Sequence, residues 1–217
     1  MRFAGGVLAV LCAFVALPLP AAELIVRLAD ARGRPVEDAV VSVTPQSAAP
    51  VKAAPTSVTK VIDQKNETFV PYLEIFRPGD RVQFRNSDST RHHVYSFAQA
   101  KAFEFVLMSG ESSAPLMLDK PGDIAVGCNI HDAMIAYLYV SDAPWVARSG
   151  SDGKAHIADL PPGAYRVAVW HPQQRPGKTE APQTLTIDPA VTDVTAAFVL
   201  SLLPDPRRPA DRERSAY

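Results

Sequence analysis

Short hydrophobic stretches separated by turn residues recur along almost the whole chain. Residues 82–86 and 165–170 alternate apolar and polar side chains, as a half-buried strand requires. No long segment has the 3.6-residue period of an amphipathic helix. Many short strands punctuated by turns are typical of a β-sandwich or barrel, so the pattern predicts an all-β fold.

The individual strands follow from the same pattern. We predict strands at residues 23–28, 36–43, 61–62, 69–70, 72–76, 82–86, 92–97, 102–107, 114–118, 123–128, 134–140, 155–158, 165–170, 183–187 and 194–200. Residues 45–60 are rich in Ala, Pro, Ser and Thr and are typical of a linker. The charged, Pro-rich segment 203–217 is predicted to be a disordered tail.

The N-terminus has the pattern of a secretory signal peptide. Arg2 precedes an apolar run over residues 4–17, and small residues suitable for cleavage follow at Ala21 and Ala22. We predict a signal peptide over residues 1–22, with Ala22 as an alternative first residue of the mature chain. The run is too short to span a bilayer comfortably. The pattern therefore indicates a periplasmic or secreted protein without a membrane span, and an uncleaved anchor is the alternative.

Removal of that signal peptide leaves one cysteine. The chain has two, and Cys12 lies in the predicted signal, so the mature protein keeps only Cys128. An unpaired cysteine in an exported protein pairs with another chain, reacts, or binds a metal. A free thiol is vulnerable to oxidation in such a compartment, and metal coordination protects it.

The residues around Cys128 favour metal coordination. Cys128, His131 and Met134 follow one another at intervals of three, and His92-His93 can supply a second imidazole. Two histidines, a cysteine thiolate and a weak axial methionine form the ligand set of a mononuclear blue-copper electron-transfer site. The sequence thus predicts that one copper ion is bound by His92, Cys128, His131 and Met134.

The choice between the two adjacent histidines is open. Neighbouring residues of a strand point to opposite faces, so only one of them can reach the metal. We choose His92 as the ligand and keep His93 as the alternative. Asn86 and Asn129 are candidates for pinning the ligand loops, and each could equally be an ordinary turn residue.

Residues 61–142 resemble the cupredoxins, the small blue-copper proteins that include plastocyanin, pseudoazurin and amicyanin. The similar segments are 77–80 (RPGD), 82–86 (VQFRN), 92–94 (HHV), 120–122 (KPG) and 128–134 (CNIHDAM). The close spacing of Cys128, His131 and Met134 is most similar to amicyanin. The whole chain also resembles the cupredoxin-containing proteins often labelled methylamine utilisation proteins. This resemblance implies a Greek-key sandwich and a redox partner such as a c-type cytochrome or a dehydrogenase.

The flanking segments carry a second resemblance. Residues 33–41 and 152–165 are similar to a carboxypeptidase-regulatory-like, transthyretin-type β-sandwich. The two resemblances together predict a split sandwich formed by residues 23–48 and 143–202, with the cupredoxin domain inserted into it. Insertion at an exposed loop is well tolerated. His171, in the second of these segments, is expected at the surface.

Charge and motif content narrow the function. The net charge is −1 without a basic stripe, which does not indicate nucleic-acid binding. No hydrolytic motif is present, and five histidines are too few for a trinuclear copper centre, so we do not expect an enzyme. A single-electron carrier is the first hypothesis. The alternatives are a copper-binding or delivery module and a structural exported binding protein without redox turnover.

Overall fold

The computed structural model describes residues 21–47, 57–131 and 133–207, and the all-β prediction is confirmed for them. Their regular structure consists of sixteen strands: β1 (Ala22–Asp30), β2 (Val40–Pro45), β3 (Thr59–Gln64), β4 (Phe69–Val70), β5 (Leu73–Phe76), β6 (Asp80–Asn86), β7 (His92–Phe97), β8 (Ala102–Leu107), β9 (Leu116–Leu118), β10 (Gly122–Cys128), β11 (Ile135–Val140), β12 (Trp145–Arg148), β13 (Lys154–Leu160), β14 (Gly163–Trp170), β15 (Gln183–Ile187) and β16 (Asp193–Leu200). Among the described residues, no helical segment could cross a bilayer.

Strands from the two ends of the chain form one sandwich, which we call the outer sandwich. Its sheets have the strand orders β13–β1–β16 and β12–β2–β14–β15. Alternate side chains of both sheets meet in one core, where Leu24, Phe198 and Tyr165 are almost completely buried. Alternation of buried and exposed positions gives each strand one apolar face, and the two apolar faces close on each other.

The central strands β3–β11 form a second sandwich, which we call the inserted sandwich. Its sheets have the orders β5–β11–β10–β7–β8 and β4–β3–β6–β9. Phe84 is fully buried in this core, and its ring lies against Phe69, Phe103 and Phe105 at centroid distances of 6.3, 5.4 and 5.6 Å. The same core extends to Cys128, which is 5 % exposed, so one end of the packed interior leads to the predicted metal site.

The two sandwiches meet through a third cluster of apolar side chains. Val40 and Trp170 of the outer sandwich contact Tyr72, Tyr137 and other residues of the inserted one. The Trp170 ring lies 6.0 Å from the Tyr137 ring, between centroids. β2 therefore contributes to the outer core and to the junction, because Val41 faces the interior of the outer sandwich while Val40 faces the junction.

Two arginines bridge the junction by donating to backbone carbonyl groups. Arg77, after β5, donates to the carbonyl oxygens of Ala143 and Pro144, in the segment that leads into β12. Arg148 of β12 donates to the carbonyl oxygen of Leu73 at 2.8 Å. These charge-assisted hydrogen bonds tie the inserted sandwich to the strand by which the chain re-enters the outer one.

Some predicted boundaries differ from the structure. The strand predicted over residues 36–43 begins only at Val40, because Asp38 has a φ of 63° that no strand can continue through. The predicted tail is not disordered over its first residues: Leu203 donates its N–H to the carbonyl oxygen of Gln173, and the Arg207 guanidinium lies 3.5 Å from the centroid of the Tyr72 ring.

Three predicted segments lie mainly outside the residues that the structure describes. Residues 1–20 of the predicted signal peptide, residues 48–56 of the predicted linker and residues 208–217 of the predicted tail lie outside the described residues.

Candidate metal centre

His92 enters the candidate site from the first position of β7. The strand alternates, so that His92, Val94 and Ser96 are buried while the side chains between them face outwards. Val94 lies opposite Cys128 of β10, which brings His92 to the end of that strand. The His92 side chain is fully buried, and its Nδ1 lies 3.7 Å from Cys128 Sγ.

Cys128 is the last residue of β10, and a tight loop follows it. The Cys128 N–H donates to the carbonyl oxygen of Met134 at 3.3 Å, which closes the loop at its base. Within the loop, the Met134 N–H donates to the carbonyl oxygen of His131 at 3.0 Å. This return of the chain brings His131 Nδ1 to 4.0 Å from Cys128 Sγ and leaves Met134 only 2 % exposed.

The three donor atoms have the separations that a first-row metal ion needs. They all lie within 4.8 Å of one another. Bond lengths of about 2.3 Å to sulfur and about 2.0 Å to nitrogen, at an angle of about 120°, place the two ligand atoms about 3.7 Å apart. The observed Sγ–Nδ1 distances of 3.7 and 4.0 Å match that value. A buried free thiol between two imidazoles is also the donor chemistry that copper prefers.

The structure brings His92 to this cluster and turns His93 to the opposite face of the sheet. His93 Nε2 lies 2.8 Å from Glu104 Oε1, and its Nδ1 lies 3.5 Å from Asn129 Nδ2. The alternation predicted from the sequence holds, and it places only one of the two histidines beside Cys128. Asn129 thus contacts the outward histidine.

Asn86 pins the loop that leads into β7. Its side chain is fully buried and donates to the carbonyl oxygens of Thr90 at 2.8 Å and Leu107 at 3.0 Å. Its side-chain oxygen accepts the N–H of Asp88 at 2.9 Å. The residue fixes the backbone immediately before His92, so its role goes beyond that of an ordinary turn residue.

Asp88 is a site residue that the sequence analysis missed. Its Oδ2 lies 2.9 Å from His92 Nε2, on the far side of the ring from Cys128. Burial raises the pKa of Asp88, but hydrogen bonds from Glu67 N–H, His92 and Asn66 N–H outweigh this effect and hold the pKa below its usual value. Asp88 therefore stays a carboxylate, which can only accept hydrogen bonds. A lone aspartate in a polar turn carried no sequence signal for this contact.

Glu67 gives the second histidine a carboxylate neighbour. Its Oε1 lies 3.5 Å from His131 Nε2. The His131 side chain is 23 % exposed, against none for His92, so His131 forms the solvent-facing edge of the cluster. Each histidine thus has its Nδ1 towards Cys128 and its Nε2 towards an acidic side chain.

Aromatic side chains on the outer face of the five-stranded sheet lie close to the Cys128 end of β10. Tyr95 lies across Gly127, the residue before Cys128, and its ring stands between those of His93 and Phe97 at 6.5 and 5.2 Å. Phe97 is 80 % exposed. Tyr95, Phe97 and Gly127 line an open groove of about 900 Å³ that also reaches Met134.

His171 lies far from this cluster and is not a surface residue as predicted. It is 5 % exposed, its Nε2 donates to the carbonyl oxygen of Glu37 at 3.0 Å, and its Nδ1 accepts the N–H of Gln173 at 3.0 Å. Burial lowers its pKa to about 4. It is a neutral structural histidine of the outer sandwich, and the hydrophobic pattern around it gave no sign of that burial.

Comparison with known proteins returns cupredoxins among solved structures. No family model matches the chain, and no curated protein matches it. A copper-containing nitrite reductase from Thermus scotoductus is similar at 22 % identity and a TM-score of 0.36, over 46 % of this chain and 25 % of the reductase. Amicyanin from Paracoccus versutus is similar at 18 % identity and a TM-score of 0.35, over 46 % of this chain and 98 % of amicyanin.

A purple cupredoxin from Nitrosopumilus maritimus is similar at 20 % identity and a TM-score of 0.34, over 39 % of this chain and all of the cupredoxin. The chain therefore spans a quarter of the reductase and nearly the whole of the two small proteins. These likenesses cover less than half of the chain at low TM-scores, so the chemistry of the site rests on its own residues. The likeness of the flanking segments to a transthyretin-type sandwich stays a prediction.

Proposed function

We propose that this chain is an exported type 1 copper protein that carries single electrons between redox partners. The observation that carries the proposal is the convergence of His92, Cys128 and His131, from two separated segments, at the buried end of one sandwich core. In the proposed site these three residues would hold one copper ion, together with Met134.

Bound copper would supply a one-electron change between its two common oxidation states. The protein residues keep the donors in place during that change. Cys128 provides the thiolate, and the hydrogen bonds at the base of its loop fix the positions of His131 and Met134. Because His92 and Cys128 belong to neighbouring strands of a packed sheet, little rearrangement is needed between the two states.

The exposed edge of His131 is the proposed route for the electron. Cys128 and His92 are buried, whereas part of the His131 ring reaches solvent and offers a path to a docked protein. A c-type cytochrome or a dehydrogenase is a suitable partner, because each exchanges electrons with such carriers. With one proposed copper site, the chain acts as a carrier and not as an enzyme.

The two sandwiches have separate roles in this proposal. Residues 61–142 form the copper domain, and residues 23–48 with 143–202 form a split flanking domain that attaches it to a partner. The junction around Trp170 and the bridges from Arg77 and Arg148 support such a role, because they hold the copper domain in one orientation.

Copper titration of the purified mature protein, followed by optical and electron paramagnetic resonance spectroscopy, tests the proposal. We expect an intense thiolate-to-copper band that bleaches reversibly on reduction. The band should disappear in Cys128→Ala and His92→Ala, and it should persist in the matched control His93→Ala. Colourless, weakly bound copper would contradict an electron carrier and favour copper delivery, while a band that survived in Cys128→Ala would refute the thiolate assignment.

A further inference from the structure

We propose that a single hairpin turn, residues 65–68, positions both imidazoles of the metal centre through two carboxylates, Asp88 and Glu67. This inference rests on the proposed function, because it concerns the same site. The residues act through the histidines and do not touch the metal themselves.

The turn joins β3 to β4 in a conformation that one of its residues does not favour on its own. Asn66 and Glu67 have φ angles of 54° and 53°, in the left-handed region, which asparagine enters readily but in which the longer glutamate side chain is strained. The Lys65 N–H donates to the carbonyl oxygen of Thr68 at 2.9 Å and closes the turn. Such a conformation persists only when surrounding contacts hold it.

Asp88 supplies those contacts and reaches His92 at the same time. Its Oδ1 accepts the N–H of Asn66 at 2.5 Å, and its Oδ2 accepts the N–H of Glu67 at 3.0 Å. The same Oδ2 lies 2.9 Å from His92 Nε2. One carboxylate therefore fixes the turn and the buried ring together.

The contact with Asp88 also selects the tautomer of His92. A carboxylate only accepts hydrogen bonds, so the ring nitrogen that faces it carries the proton. In the neutral ring, Nδ1 is then unprotonated, and its lone pair faces Cys128 Sγ at 3.7 Å. A histidine ligand whose other nitrogen donates to a carboxylate is oriented for its metal before the metal arrives.

The side chain of Glu67, in the same turn, lies beside the second imidazole. Its carboxylate faces His131 Nε2 at 3.5 Å, which leaves Nδ1 of that ring towards Cys128 Sγ. The Glu67 side chain is 60 % exposed, so its contact is weaker than that of the largely buried Asp88. The turn thus keeps the Nδ1 atoms of His92 and His131 directed towards Cys128 Sγ.

Nitrogen-15 NMR of the metal-free protein, with both rings neutral, tests the positioning directly. We expect His92 to be a single Nε2–H tautomer in the wild type and a mixture in Asp88→Ala. Glu67→Gln should change the signals of His131 and leave those of His92 unaltered. Because these measurements need no copper, they remain decisive if the proposed function is wrong.

Copper affinity, measured by competition with a chelator, supplies the second readout. Loss of an outer carboxylate typically weakens a metal site by about 10- to 100-fold, and we expect that loss for Asp88→Ala and a smaller one for Glu67→Gln. Asp88→Asn covers the case in which the alanine variant does not fold. Its NH₂ group meets a donor whichever way the amide lies, because both Asp88 oxygens accept hydrogen bonds, so the affinity should again fall.

Matched controls separate positioning from a general effect of charge. Asp119→Ala and Glu74→Gln remove carboxylates that pair with Lys101 and Lys60, away from the site. Both should keep the wild-type affinity and tautomers. Wild-type tautomers in a folded Asp88→Ala or Asp88→Asn, with a copper affinity within twofold of the wild type, would overturn the inference.

Discussion

Replacing Gly127 by alanine is predicted to destabilise the metal-free protein only while Tyr95 is present. Gly127 lies opposite Tyr95 in the pairing of β10 with β7, immediately before Cys128. A Cβ atom at this position would stand 2.9 Å from both Cζ and Oη of Tyr95, which is too close for any real contact. The ring must therefore move, although the backbone itself, whose φ is not positive, accepts alanine.

Two opposing effects set the magnitude. Alanine in place of glycine within a strand stabilises a protein by about 0.5–1 kcal/mol, because the unfolded chain loses freedom. Displacing a packed side chain costs about 1–3 kcal/mol. We expect Gly127→Ala to lower the free energy of unfolding by about 1 kcal/mol in the wild-type background. In a Tyr95→Ala background the steric cost is absent, and the same change should raise it by about 0.5–1 kcal/mol.

A double-mutant cycle checks this change of sign. Urea unfolding of the metal-free wild type, the two single variants and the double variant gives a coupling energy between the two positions, expected at about 1–3 kcal/mol. If Gly127→Ala has the same sign in both backgrounds, the contact across the strands does not determine the choice of glycine at this position.

The remaining predictions concern three other regions. Because burial lowers the pKa of His171 from 6.5 to about 4, the unfolded chain binds more protons between these values. Stability should thus fall by about 3 kcal/mol as the pH drops through this window, and urea unfolding of His171→Gln should show a flatter pH profile. Arg207→Ala removes a contact with the Tyr72 ring that is worth about 1 kcal/mol. Hydrogen exchange of the Leu203 amide should therefore accelerate roughly fivefold. An unchanged exchange rate would contradict the packing of the tail. Met134→Leu should keep the copper and raise its reduction potential in voltammetry, and a lower potential would argue against an axial methionine.

Strand positions could be predicted where one face of a strand is buried and the other is solvated. β6 and β7 alternate in this way, and their bounds follow the sequence pattern closely. β12 was missed because its apolar residues do not alternate with polar ones: Trp145 and Ala147 pack against the outer core, while Val146 faces the junction between the sandwiches. Its burial depends on how the two sandwiches meet, which no local pattern encodes.

The same distinction applies to the candidate site. Cys128 and His131 lie three residues apart in one loop, so their spacing was enough to predict that they come together, while Met134 as a ligand stays a prediction. The alternation along a strand predicts that His92 and His93 point to opposite faces. Which of the two points inwards depends on the packing of the whole sheet. Asp88 and Glu67 could not be found, because their contacts depend on a turn whose relation to the histidines exists only in the folded chain.

The nested arrangement of the two sandwiches has a consequence for the order in which the protein folds. All strands of the inserted sandwich lie between Thr59 and Val140, whereas β1 is the central strand of a sheet whose other members, β13 and β16, come near the end of the chain. Pairings between distant segments carry a large loop-closure cost and form slowly. The inserted sandwich can therefore mature first, while β1 waits with both hydrogen-bonding edges open. Until β16 arrives, this apolar strand is the part of the molecule most exposed to aggregation, even when the inserted sandwich is already native.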